Sequence, residues 1–117
     1  MRSLRRVSPA FTLVEIMVVV VVIGLLAMLA LPAFQRIRSA SQDKGVLNNA
    51  RQLSSAADSY YLESGVNFAA SVDLVGARNY VKLLSTVASE TYPSDFTQGI
   101  TVTVTGIGGA RTITYAP

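Results

Sequence analysis

The sequence predicts an α+β fold: a long N-terminal helix, transmembrane in its lower half and amphipathic in its upper half, packed on a small C-terminal antiparallel β-sheet. Three observations carry this expectation. Residues 16–35 contain no charged side chain, residues 46–61 repeat apolar side chains at spacings of three and four, and the last stretch alternates apolar and threonine residues.

The uncharged run comes first. At about 1.5 Å of rise per residue, residues 16–35 reach roughly 30 Å, the thickness of a bilayer's hydrocarbon. Val18, Val19, Val20, Val21, Val22 and Ile23 are apolar in succession, so a helix through them has no polar face and demands burial on every side. Two residues weaken it. Gly24 lowers helix propensity, and Pro32 lacks the backbone donor and crowds the carbonyl of Met28. Glu15, close to the start of the run, is the one acid, and a carboxylate at the edge of hydrocarbon is costly unless it is partnered. Near a helix N-terminus the macrodipole favours it.

The second half of the helix has a different pattern. Val46, Leu47, Ala50, Leu53, Ala57, Tyr60 and Tyr61 mark one apolar face, and Asn48, Arg51, Gln52, Ser55 and Ser59 lie mostly on the other. Asp43, Lys44, Arg51 and Asp58 read as a solvated charged face. Gly65 is the expected stop, so one helix covers residues 12 to about 63.

Residues 66–98 are the least legible. Ser71 is a candidate cap, and Gly76 a candidate stop, for a short helical turn, and residues 79–87 fit strand or irregular chain. Tyr92, Pro93, Ser94 and Asp95 read as a turn. Residues 100–115 form the expected hairpin. A two-residue turn at Gly108 and Gly109 sets Ile107 opposite Ala110, and outward counting pairs Thr105 with Thr112, Val104 with Ile113, Thr103 with Thr114 and Val102 with Tyr115. Apolar then meets apolar on the face toward the helix, and threonine meets threonine on the outer face. The glycines at 106, 108 and 109 lack the lysine, the spacing and the following helix of a phosphate loop.

Composition narrows the function. The chain has no cysteine and no histidine, which removes disulfides, thiolate chemistry, the commonest zinc ligands and the commonest general base. No metal or cofactor pattern appears, and an enzyme is not expected. The formal charge is +3, but three of the ten basic residues, Arg2, Arg5 and Arg6, lie within the first ten positions, leaving seven basic against seven acidic in the remainder. No basic nucleic-acid footprint follows from such a balance. Residues 1–10 read as a targeting segment whose arginines hold the N-terminus in the cytoplasm.

A short basic leader, then Phe11, Thr12, Leu13, Val14 and Glu15, then the apolar run with Gly24 and Pro32, resembles the N-terminal signature of type IV pilins and the related type II secretion pseudopilins. The resemblance implies a pilin-like fold in three parts: a leader, residues 1–10, removed on maturation; a transmembrane and filament-core segment, residues 11–35; and a head, residues 36–117. It implies cleavage by a prepilin peptidase between Ala10 and Phe11, N-methylation of Phe11, and a Glu15–Phe11 pairing between neighbouring subunits that sets register. It also implies flexibility between Gly24 and Pro32 in the assembled filament. Ala10 departs from the glycine that the family prefers before the cut. The implied partners are further copies in a helical homopolymer, the peptidase, the inner-membrane platform protein, the assembly ATPase system and, before assembly, the membrane. The implied location is the bacterial inner membrane with a cytoplasmic N-terminus, then an extracellular pilus. The alternatives are a periplasmic pseudopilus, which a missing acidic loop near the C-terminus disfavours, and an uncleaved single-span binding module.

Overall fold

A computed structural model describes residues 9–117, and the expectations for Arg2, Arg5 and Arg6 lie outside them. The chain divides into two compact units, the first ending at Arg36 and the second comprising Ile37–Pro117. One helix, α1 (Leu13–Ser64), supplies residues to both.

In the first unit α1 is unbroken at Gly24 and at Pro32. Every residue from 9 to 38 is exposed.

In the second unit the amphipathic pattern becomes a core. Val46, Ala50, Leu53, Ala57 and Tyr61 are buried at steps of three and four, joined by Ala56 and Ser54, as one face of a 3.6-residue helix requires. Asn48, Arg51, Gln52, Ser55 and Ser59 are exposed. The helix ends where Gly65 adopts φ +68° and donates its N–H to the Tyr61 carbonyl at 2.9 Å, a left-handed cap that glycine adopts without Cβ strain.

The segment after α1 contains β1 (Phe68–Ala70), α2 (Ser71–Leu74) and β2 (Asp95–Thr97), with β1 and β2 antiparallel. Three expectations are corrected here. Ser71 is the first residue of α2 and not its cap; Ala70 holds the cap position and gives no side-chain bond. The short helix closes at Val75, and Gly76 instead donates to the Val81 carbonyl at 2.9 Å, beside a parallel bridge between Val75 and Val81. Asp95 belongs to a strand rather than a turn, because the alternation of Asp95, Phe96 and Thr97 sends Phe96 into the core. The chain reverses after it, at Gln98 and Gly99, where Ile100 donates to the Thr97 carbonyl at 3.1 Å.

The C-terminal hairpin comprises β3 (Val102–Ile107) and β4 (Arg111–Tyr115). Val102 pairs with Tyr115, Thr103 with Thr114 and Val104 with Ile113, as expected. Beyond Val104 the register shifts: Ile107 pairs with Arg111 and not Ala110, and three residues, Gly108, Gly109 and Ala110, make the turn. The cause is one extra residue in β3, a bulge with Gly106 at φ +76°. The bulge takes Thr105 out of the expected pairing with Thr112. Thr105 exchanges hydrogen bonds of 2.8 and 3.1 Å with Thr91 instead. Val102, Val104 and Ile107 are buried, and Thr101, Thr103, Thr105, Thr112 and Thr114 face outward.

Two polar clusters tie these pieces to α1. Arg111 pairs with Asp43 and donates to Gln42 at 2.9 Å, so Asp43 is engaged and does not belong to a freely solvated face. Glu90, 5% exposed, accepts from the Val87 N–H at 3.0 Å, the Ala88 N–H at 2.7 Å and the Tyr92 hydroxyl at 2.6 Å. Asn49 of α1 donates to the Tyr92 hydroxyl at 2.9 Å and to the Ser85 carbonyl at 3.0 Å. Burial opposes ionisation of Glu90, but the hydrogen bonds from Tyr92, Ala88 and Val87 outweigh it and hold the carboxyl below its ordinary value. Burial, reinforced by Glu90, pushes the Tyr92 phenol up to about 12.

Candidate functional site

The residues singled out from the sequence lie in the first unit, at and after the start of α1. Ala10 and Phe11 precede the helix, outside regular structure and exposed, Phe11 to 82%. Exposed segments without regular structure are where proteolysis concentrates.

Thr12 and Glu15 then form a reciprocal cap. The Thr12 N–H and hydroxyl donate to one Glu15 carboxylate oxygen at 2.7 and 2.9 Å, and the Glu15 N–H donates to the Thr12 hydroxyl at 3.3 Å. Such a box satisfies amide donors that the helix start leaves unpaired. Within a single chain Glu15 is therefore partnered. The reading from sequence assigns Glu15 an electrostatic role and passes over Thr12, although a threonine three residues before a glutamate is the recognised signal for this motif.

From this cap the apolar side chains run without cover. Ile16, Met17, Val18, Val19, Val20, Val21, Val22 and Ile23 are each about half exposed or more, and Phe34 is 65% exposed. The helix is long and apolar enough to cross a membrane, and an uncovered apolar surface of this extent marks a contact with lipid or with other helices. Gly24 has no neighbour within 4 Å of where a Cβ would stand, so nothing within the chain requires glycine there. Gly24 and Pro32 both sit inside continuous helix.

The site thus brings together an accessible segment, a capped acid and a bare apolar helix. No cluster of three metal-ligating side chains occurs among the described residues.

Comparison with known proteins agrees with the N-terminal reading. The model of the prokaryotic N-terminal methylation motif matches residues 5–31. The chain is 41% identical to the fimbrial protein EcpC of Eikenella corrodens over 63 residues, 54% of this chain and 41% of that protein. It is 39% identical to the type IV major pilin protein PilE of Neisseria gonorrhoeae over 56 residues, 48% of this chain and 34% of the relative. A fimbrial protein of Neisseria meningitidis is 40% identical over 55 residues, 47% of this chain and 32% of its own length. The match therefore covers less than half the length of each of these relatives. No solved structure matches the chain. Through the methylation signature at residues 5–31, and the relatives that share it, the N-terminal half of the chain is similar to fimbrial and type IV major pilin proteins.

Proposed function

We propose that this protein is a structural subunit of a type IV pilus, made as a membrane-anchored precursor and polymerised through the lower half of α1. The observation that carries this reading is the uncovered apolar helix that begins at the methylation motif. The relatives add support, being named as fimbrial and major pilin proteins.

In this reading the leader arginines keep the N-terminus cytoplasmic while the apolar segment inserts. A prepilin peptidase cuts between Ala10 and Phe11, and the freed Phe11 amine is methylated. The Glu15 carboxylate, held at the helix start by Thr12, then lies one helical turn from a cationic terminus. In a bundle of such helices the acid of an incoming subunit meets the amine of a neighbour. A misplaced subunit leaves a charge buried without a partner, which costs a few kcal/mol. The pair sets register more than it adds net stability. The small side chains Ala27, Ala30 and Ala33, with Gly24, allow close approach of neighbouring helices. The alternative as a pseudopilin shares every step and differs in the length and place of the fibre.

The test is to shear surface filaments from cells and sequence them from the N-terminus. Abundant filament beginning at methylated Phe11 is expected. Filament that retains residues 1–10, or fibre confined to the periplasm, overturns the pilus reading.

A further inference from the structure

The head, Ile37–Pro117, carries two flanks of opposite charge. On one, a cavity of about 150 Å³ is lined by Asp58 and Tyr61 of α1 together with Asp95, Thr97 and Ile100, and no basic residue lines it. Tyr61 is 6% exposed and its buried hydroxyl has no hydrogen-bond partner among the described residues, a cost that protein interiors normally avoid. On the other, an open groove of about 640 Å³ is lined by Arg51, Ser55 and Ser59 of α1 with Tyr80, Lys82 and Leu83, and no acid lines it. Glu63 is the nearby acid, and the Tyr80 hydroxyl holds it.

These charges are not spent within the chain. Arg111 with Asp43 is the one ion pair among the described residues, so Asp58, Asp95 and Lys82 have no charged partner there. Arg51 lies 5.8 Å from the centre of the Tyr115 ring, which leaves its charge uncompensated by any acid. Each flank also exposes large apolar surface, with Ile100 60% exposed on the acidic one and Leu83 81% exposed on the basic one. At about 100° of turn per residue, Ser54, Ala57, Asp58 and Tyr61 point some 125° away, on average, from Arg51, Gln52, Ser55 and Ser59. The two flanks occupy the same two turns of α1 and face in different directions.

We propose that the acidic flank of one copy receives the basic flank of the next, Lys82 pairing with Asp58 and Asp95 while Leu83 meets Ile100. This rests on the pilus-subunit reading and gives its heads a lateral contact separate from the helix core. The contact joins two different patches, so it is heterologous and leaves a free acidic flank at one end and a free basic flank at the other. Such a contact propagates and does not stop at a dimer.

The experiment uses the full chain in cells. Asp58→Lys and Lys82→Glu each place like charges together, and each is expected to lower sheared-filament yield about tenfold or more while the protein accumulates in the membrane normally. Both substitutions in one chain restore opposite charges, and yield is expected to return to within about threefold of the unaltered protein. The absence of cysteine allows a second readout: Thr97→Cys with Leu83→Cys, treated with a bis-maleimide, is expected to give a ladder of multimers, and either cysteine alone only monomers. Reversals that assemble at normal yield, a double variant no better than the single ones, or cross-linking absent or limited to dimers overturn the inference while the pilus reading stands. If the unaltered chain gives no filament, the pilus reading fails first and takes this contact with it.

Discussion

Between residues 13 and 36, helix α1 carries apolar side chains on every side and buries none of them. Between residues 46 and 61 it carries them on one stripe and buries nearly all, with Val46, Ala50 and Leu53 fully enclosed. One secondary structure thus serves two solvents. The upper stripe is covered by strands of the same chain, so its burial is complete in the monomer. The lower surface is apolar all round, and no single sheet could cover a helix on every side. A surface of that kind suits lipid or a bundle of helices. What separates the halves is the angular distribution of apolar residues more than their number.

The comparison breaks most sharply at Glu15. Glu15→Ala is expected to leave the precursor inserted and the head folded, while filament yield falls tenfold or more, since a mispaired buried charge is worth a few kcal/mol. Thr12→Val is the companion variant. It removes the threonine hydroxyl from the cap and retains the acid, so filament is expected to persist with only about 1 kcal/mol of local helix stability lost. Filament at normal yield from Glu15→Ala removes the register role.

The upper half responds in the opposite sense. Leu53→Ala opens a cavity beneath the sheet and is expected to cost the head about 2–5 kcal/mol. Urea unfolding of the detergent-solubilised chain, followed by tyrosine emission, reads this directly. A loss below about 1 kcal/mol would show that the stripe is not the core.

Glu90 tests whether the head's polar anchor matters as much as its apolar one. Glu90→Gln places an amide where two backbone N–H groups require an acceptor, and is expected to cost about 1–3 kcal/mol at neutral pH. In the unaltered chain the folded carboxyl titrates below its unfolded value of about 4.3. Its contribution is therefore complete above that value and is lost as pH falls through the lower folded one. At the alkaline end Tyr92 acts the other way, because its stabilisation holds below about 10, its unfolded value, and is lost as pH rises toward about 12. Unfolding free energy measured across pH should show the acid limb flatten in Glu90→Gln and persist in the unaltered protein.

The smallest effect is expected at the boundary of the helix. Gly65→Ala forces a Cβ into a left-handed conformation, with nothing nearby to clash, and should cost about 1 kcal/mol through backbone strain alone.

Legibility followed the range of the forces involved. Helix α1 and its stop at Gly65 were readable because a period of 3.6 and a glycine cap are local signals. The pairs from Val102 to Tyr115 through Val104 to Ile113 were readable from alternation. The shift beyond them was not, because a bulge at Gly106 depends on Thr105 finding Thr91 on the opposite edge. Strands β1 and β2 have three residues each and exist through their mutual pairing, which no local pattern announces. No sequence pattern singles out Glu90; only the folded chain shows two amides and a phenol converging on it. At the N-terminal site the acid and its spacing from Phe11 were plain. Its bond to Thr12 is equally local, a threonine three residues before a glutamate.

The pairing of Arg111 with Asp43 has a consequence in time. The two residues stand 68 positions apart, so the clasp cannot close until the chain has been delivered as far as Arg111. Helix α1 can wind as it emerges, because its bonds span four residues. The stripe from Val46 to Tyr61, however, stays uncovered until β3 and β4 arrive to roof it. Contacts of such sequence separation form late. The head is roofed by β3 and β4, and a chain that has not yet reached them shows an apolar stripe along α1.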